Sequence, residues 1–102
     1  MKDVKVIVKH PGKDPEELVI PNELEAFQRL VAGYIETVLI ASDMVALVNE
    51  EGKLRGMVPN RMVRGDLLVG PVVFVGVKGA EFCDVPVGLD RLGFMFRGGV
   101  VQ

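Results

Sequence analysis

The feature that most constrains this sequence is a change of hydrophobic period at residue 34. Over residues 34–40 and 44–49 the pattern has the period of two that is typical of strands, whereas the residues just before follow a helical period. Only residues 41–43 separate the two segments, which is the length of a tight connection. The sequence therefore predicts a β-hairpin here.

Other segments predict the rest of a sheet. Residues 72–77 are apolar on both faces, which favours a central strand, and residues 81–83 can add a short strand after a turn. Residues 4–8 are β-branched and flanked by lysines, as in an edge strand, and are expected to pair with residues 18–20 in an N-terminal hairpin. Residues 58–66 predict irregular structure.

One segment predicts a helix over residues 22–32. Asn22 precedes Glu25 by three positions, a variant of the capping box, and Gly33 stands where a left-handed cap is needed. Between them, apolar residues recur at helical spacing: Leu24, Phe27, Leu30 and Val31.

Together these segments predict an α+β domain spanning residues 1–102. It would contain an antiparallel or mixed sheet of about five or six strands, with the helix 22–32 as the one main helix packed on one face. A short C-terminal helix is expected within 87–96, and a loose tail from residue 97. With 102 residues there is room for only this one domain.

Charge and cysteine content exclude several classes of protein. The formal net charge is −2, which argues against a protein that coats nucleic acid or an anionic membrane. Cys83 is the only cysteine, so an internal disulfide or a thiolate-rich metal site is excluded, and a reducing cytoplasm is expected. We expect no signal peptide and no membrane span, because the longest apolar run, 67–77, is far shorter than the roughly 20 residues a span needs.

No arrangement of residues predicts catalysis. His10 and Cys83 are the only residues of their types, and no local pattern pairs them as base and nucleophile. Calcium, zinc and phosphate-loop motifs are missing from the sequence, so we expect no metal and no cofactor. The sequence therefore predicts a protein that is not an enzyme. The alternative is an enzyme that uses Tyr34, Glu36 or Cys83 on a small acidic metabolite.

The segment 53–64, called the basic loop below, is the one cluster of positive charge. It contains Lys53, Arg55, Arg61 and Arg64, together with Asn60, and no acidic residue. Guanidinium groups on a loop can bind phosphate or carboxylate bidentately, so nucleic-acid or anion binding is one hypothesis. The other interpretation is that the basic loop neutralises residues 1–51, whose net charge is −5 from five basic and ten acidic residues.

The leading hypothesis is a non-enzymatic interaction module that binds a protein partner or itself. A small sheet must have exposed strand edges, and an edge can pair with another chain. Apolar residues outside the clear elements could join such an interface: Met57, Met62, Phe94, Met95 and Phe96.

Four segments, at 20–28, 31–36, 49–60 and 70–76, resemble a small domain family of unknown function. The second reads Val-Ala-Gly-Tyr-Ile-Glu, and the third opens with Asn-Glu-Glu-Gly-Lys and closes with Pro-Asn. Members of this family occur in phages, plasmids and genomes of Gram-positive bacteria, and the resemblance covers residues 2–84. It implies a mobile-element setting and a cytoplasmic location, and it assigns no catalytic residue.

Overall fold

A computed structural model describes residues 2–95, with side chains up to residue 93. Within these residues the chain forms eight strands and two short helices. In chain order they are β1 (Asp3–Lys9), β2 (Glu16–Pro21), α1 (Leu24–Val31), β3 (Ile35–Ala41), β4 (Met44–Asn49), β5 (Pro59–Val63), β6 (Asp66–Val69), β7 (Val72–Lys78), β8 (Glu81–Cys83) and α2 (Leu89–Met95).

Six of the strands form one antiparallel sheet. Its order is β2-β1-β7-β4-β3, and β8 pairs with the end of β7. The hairpin predicted at 34–49 is confirmed, with Ile35 opposite Asn49 and Leu39 opposite Val45. The N-terminal hairpin is also confirmed, and β7 lies between β1 and β4 as its apolar faces predict. The outer strands of this sheet are therefore β2 and β3.

The end of β7 depends on Gly76. This residue is opposite Cys83 in the β7–β8 hairpin, and a Cβ at position 76 would overlap the carbonyl oxygen of Asp84. A glycine is required here because the backbone after β8 passes directly against β7. The chain then continues across the sheet, where Val85 N–H donates to Lys5 O at 2.9 Å.

The two faces of the six-stranded sheet carry separate apolar clusters. On one face α1 contributes Phe27 and Val31 to a cluster with residues of β1, β4 and β7. On the other face β5 and β6 form a second, two-stranded sheet, which contributes Val63 and Leu68 to a cluster that also contains Leu92 of α2. The main sheet is thus covered by different kinds of element on its two faces.

The predicted fold class, α+β with one main helix packed on a face, is wrong. Strand is the dominant structure, and the helices have only eight and seven residues. The prediction failed mainly at residues 58–66, which were expected to be irregular and instead belong to the β5–β6 hairpin. Polar residues in β5 concealed that strand, because Asn60 and Arg61 are buried although their types are usually exposed.

The predicted ends of α1 are also wrong. The N-cap is Glu23 and makes no side-chain cap, whereas Asn22 Nδ2 donates to Phe82 O at 3.0 Å. At the other end Ala32 rather than Gly33 adopts the left-handed conformation, with φ 64°. Gly33 serves a different purpose, since a Cβ there would lie 2.6 Å from Asn49 Nδ2.

Strand β1 is not the edge strand that its lysines predicted. It pairs with β2 on one side and β7 on the other, and its alternate residues Val4, Val6 and Val8 are buried under the α1 face. Lys5 and Lys9 occupy other positions of the strand, where Lys5 is exposed and Lys9 is half-buried. The tail expected from residue 97 lies outside the described residues.

Candidate functional site

The first two cations of the basic loop make contacts within the chain. Lys53 Nζ lies 2.7 Å from Asp66 Oδ1, in an exposed ion pair that joins the loop to β6. Arg55 Nη1 donates to Ala32 O at 3.1 Å, at the C-terminus of α1, where the carbonyl groups have excess negative charge. The Arg55 contact therefore lies at the end of α1, and the Lys53 ion pair lies at β6.

Asn60 and Arg61 lie inside the protein. Asn60 is 1% exposed, and its Nδ2 donates to Lys9 O at 2.7 Å and Gly70 O at 2.8 Å, which fixes β5 against the main sheet. Arg61 is 5% exposed, and burial lowers the pKa of its guanidinium. Burial also lowers the pKa of Lys9, and the charge of Arg61 adds to that effect. Neither Asn60 nor Arg61 belongs to a surface loop.

Arg64 occupies the β5–β6 turn, with φ 52°. Its Nη2 donates to Ile40 O at 3.0 Å, at the irregular end of β3. The four cations of the basic loop thus have partners or surroundings in four different places. Lys53, Arg55 and Arg64 each contact a group of the chain and Arg61 is buried, whereas anion binding by these residues stays a prediction.

The predicted apolar interface is divided as well. Met57 is half-buried, with its Sδ 2.7 Å from where a Cβ at Gly70 would lie, so it packs against that turn. Met62 is half-buried on β5 opposite Leu67. The side chains of Phe94 and Met95, and all of Phe96, lie outside the described residues.

The residues of the enzyme alternative are far apart in the sheet. Tyr34 and Glu36 lie at β3, whereas Cys83 is on β8, and β4 and β7 lie between them. Lys9 is opposite Val72 and Cys83 is opposite Gly76, which are about 13 Å apart along β7, and His10 follows Lys9 at a still greater distance from Cys83. The structure does not bring these groups into one catalytic site.

The exposed side of β3 is the site that the sequence reasoning missed. Glu50 N–H donates to Tyr34 O at 2.8 Å, so Tyr34 and Glu50 form a hydrogen-bonded pair in the β3–β4 hairpin. Because bonded and non-bonded pairs alternate, the backbone groups of Ile35, Thr37 and Leu39 point away from β4. Among the described strands none pairs with this side, which we call the β3 edge.

The β3 edge adjoins a cleft of about 190 Å³ between the main sheet and β6. Val38, Val48 and Leu68 contribute apolar lining, and Glu36 and Glu50 add exposed carboxylates. The two carboxylates lie diagonally across the β3–β4 ladder, at positions about 7–8 Å apart. Among residues 2–95 neither has an ion-pair partner, so this part of the surface is acidic.

A buried asparagine fixes the start of β3. Asn49, 4% exposed, donates from Nδ2 to Val31 O at 3.0 Å and Ala32 O at 3.1 Å, and its Oδ1 accepts from Glu51 N–H at 2.8 Å. These bonds join the end of α1 to the turn after β4. Asn49 itself lies opposite Ile35, so it anchors the segment that leads into β3.

A sequence signal for the β3 edge was present. Residues 35, 37 and 39 include no proline and no charge, and such residues are what usually protect an edge strand. The strand was identified, but its place at the outside of the sheet depends on pairings between β4, β7 and β1 that are distant in sequence.

The described residues contain neither a metal-binding cluster nor a membrane-spanning helix. No group of three or more His, Cys, Asp or Glu side chains among residues 2–95 could hold a metal ion. In the same residues, neither helix has the length and apolar character needed to cross a membrane.

Comparison with known proteins gives one match. A family model described as a domain of unknown function, DUF3846, matches residues 1–96. No curated protein and no solved structure matches the chain. Because the family model covers nearly all of its length, the chain belongs to the DUF3846 family of domains of unknown function.

Proposed function

We propose that this protein is a non-enzymatic interaction module that binds another protein chain along the β3 edge. The observation that carries the proposal is the row of outward backbone groups at Ile35, Thr37 and Leu39. An added strand would satisfy them by β-augmentation, in which main-chain hydrogen bonds supply affinity and alternate side chains supply specificity.

The surroundings of the β3 edge support this proposal. Leu39 is 60% exposed although it lies in a strand, and burial in an interface would remove that apolar surface from water. The acidic cleft lies beside the same strand and could accept side chains of the added chain. Asn49 holds the strand in a fixed position, which lowers the entropic cost of binding.

The setting that we propose is a mobile element, with the protein acting in the cytoplasm of a bacterial host. The resemblance to domains of phages and plasmids supports this setting, and the single cysteine fits a reducing compartment. A partner would then be a protein of the host or of the element.

The test uses a matched pair of proline variants on the two outer strands. Thr37→Pro removes an outward N–H from the β3 edge, and Val19→Pro removes one from β2, so neither breaks the sheet's own ladder. Wild type and both variants are used to capture proteins from host lysate after nuclease treatment, at low and high salt. We expect a protein retained by wild type and Val19→Pro and lost from Thr37→Pro. Equal retention by Thr37→Pro would contradict the proposal.

Nucleic-acid or anion binding through the basic loop is the competing function. It receives less support because Lys53, Arg55 and Arg64 already bind groups of the chain. Binding of labelled DNA measured at several salt concentrations distinguishes the two. A steep loss of affinity with salt, reduced in Arg55→Ala and Arg64→Ala, would favour nucleic acid over the β3 edge.

A further inference from the structure

We infer that one chain that binds the β3 edge is a second copy of this protein, in a two-fold symmetric dimer. The inference rests on the proposed function, because it names the occupant of the same edge. In this dimer the β3 strands of the two copies pair antiparallel, with Thr37 of one copy opposite Thr37 of the other. The six-stranded sheets of the two copies would then form one continuous sheet.

The hydrogen-bonding phase of β3 allows this register. Its outward groups belong to Ile35, Thr37 and Leu39, which are symmetric about Thr37. Pairing of Thr37 with its copy places each Ile35 opposite the Leu39 of the other copy, so that every outward group meets another. If the two β3 strands were shifted by one residue, backbone groups that point toward β4 in one copy would face outward backbone groups of the other copy. A shift by two residues would leave the outward groups at one end of the strand pair without a partner.

The apolar side chains also match in this register. Ile35 and Leu39 lie on the α1 face of the sheet, where Ile35 already packs against the cluster that contains Phe27 and Val31. Leu39 is 60% exposed in the single chain. In the dimer each Leu39 would contact Ile35 of the second copy, twice by symmetry, and cross-strand apolar pairs of this kind stabilise a sheet.

The charged side chains on the face of the main sheet opposite α1 give the strongest reason to propose a second copy as the partner of the β3 edge. Arg64 is exposed and held at Ile40, near one end of the β3 edge. Glu36, which has no ion-pair partner within the described part of the chain, lies four residues from Ile40, about 13 Å along the strand. Within one chain these charges are therefore apart. In the dimer Glu36 of one copy lies opposite Val38 of the other and diagonal to Ile40, which brings it beside Arg64.

In the symmetric dimer, the Glu36 carboxylate of each copy would therefore form an ion pair with the Arg64 guanidinium of the other copy, which gives two intermolecular ion pairs. The two Glu36 positions lie diagonal to each other at about 8 Å, and each is also next to an arginine of the other copy. Tyr34, which is 69% exposed, would lie opposite Ile40 and next to the same arginine. The edge is therefore complementary to itself in hydrogen bonding and charge.

The interface is small, because it consists of one strand pair and its neighbouring side chains. Interfaces below about 1,200 Å² of buried surface are usually weak and transient. We therefore expect the dimer to appear only toward near-millimolar concentration. Sedimentation should show a mass rising from 11.1 kDa toward twice that value as concentration increases.

The decisive experiment uses two charge-reversal variants, Glu36→Arg and Arg64→Glu, alone and mixed. Each variant alone would place like charges together at both ion pairs, and we expect its dimerisation to weaken by about tenfold or more. In an equimolar mixture the unlike chains regain both pairs, so dimerisation should return to nearly the wild-type level. Thermal unfolding of each variant establishes that it is folded.

Recovery in the mixture is expected only if Glu36 of one chain contacts Arg64 of the other. A wild-type chain that keeps a mass of 11.1 kDa at every concentration would overturn the inference, as would a mixture no more associated than the separate variants. Neither result touches the proposed function. That proposal depends on whether Thr37→Pro loses a captured protein that Val19→Pro retains.

Discussion

The two outer strands of the six-stranded sheet differ in how their free sides are protected. The β2 strand directs the backbone groups of Glu17, Val19 and Pro21 outward, because Asn22 N–H bonds to Lys2 O and fixes its phase. Pro21 has no N–H to offer, and Glu17 adds a charge. The β3 edge has no proline along Ile35–Leu39, and the one charge in that range, Glu36, is not at an outward-directed position.

Apolar exposure does not explain this difference. Val19 on β2 is 66% exposed and Leu39 on β3 is 60% exposed, so the two strands present similar hydrophobic surface. The two strands differ in the availability of backbone donors and in whether a charge stands at an outward-directed position, and both features help edge strands to avoid pairing with other chains. We therefore expect the pairing of an outer strand with another chain to depend on the directions of its backbone groups rather than on hydropathy.

The largest expected effect comes from removing the side chain that holds β3. Asn49→Ala would leave the carbonyl groups of Val31 and Ala32 and the N–H of Glu51 without that partner, and we expect a loss of about 2–4 kcal/mol in unfolding free energy. Urea denaturation followed by circular dichroism measures it. The matched control is Asn22→Ala near β2, where the amide is exposed and the cost should be below about 1 kcal/mol. Equal costs would mean that the two outer strands are held equally well.

A lysine placed on each outer strand should separate their behaviour next. Leu39→Lys introduces a charge on the β3 edge, and we expect self-association to fall by about tenfold or more, since charges protect edges and the contact with Ile35 of the second copy is lost. Val19→Lys adds the same charge to β2 and should leave association unchanged. Sedimentation at near-millimolar concentration compares them. A similar fall in both variants would remove the distinction between the strands.

A smaller effect is expected from Arg55→Ala, which removes the bond to Ala32 O next to the start of β3. The interaction is exposed and should contribute about 0.5–1 kcal/mol to stability, decreasing with added salt. Lys53→Ala, which breaks an exposed ion pair, is the control and should cost less than about 0.5 kcal/mol. Denaturation at low and high salt gives both values, and a cost for Arg55→Ala that does not respond to salt would argue against the contact with the helix end.

The smallest effect concerns Lys9, which lies at the end of β1 opposite Val72 of β7. Burial, then the charge of Arg61, lower its pKa in the folded state below the ordinary 10.5, while Asp14 opposes them. The unfolded chain therefore binds this proton more tightly, so stability should rise as pH increases from the folded pKa toward 10.5. Lys9→Met should reduce that rise, and Lys2→Met should not. A rise of equal size in Lys9→Met would assign it to another group.

The elements made from neighbouring segments could be predicted from the sequence, and the distant pairings could not. The hairpins at β1–β2 and β3–β4 follow from local period and turn residues. By contrast, the pairing of β1 with β7 joins residues more than sixty positions apart, and no local pattern specifies it. Because that pairing places β3 at the outside, the candidate site could not be predicted either.

Polar residues account for the remaining errors. Asn60 and Arg61 are typical of exposed loops, and only their burial between the two sheets makes β5 a strand. Asn22 has the residue type of a helix cap, but its side chain bonds to Phe82 O, which the fold brings near from sixty positions away. In both cases tertiary contacts override the local preference of the residue.

The position of β1 in the middle of the sheet has a consequence for synthesis on the ribosome. Residues 1–21 can form the first hairpin early in synthesis, but the second partner of β1, strand β7, begins only at Val72. At a translation rate of about 5–20 residues per second, one side of β1 therefore has no partner strand for roughly 3–13 s. During that interval β1 is an outer strand. Lys2, Lys5 and Lys9 then protect the nascent chain from aggregation, which explains why an interior strand carries the lysines of an edge.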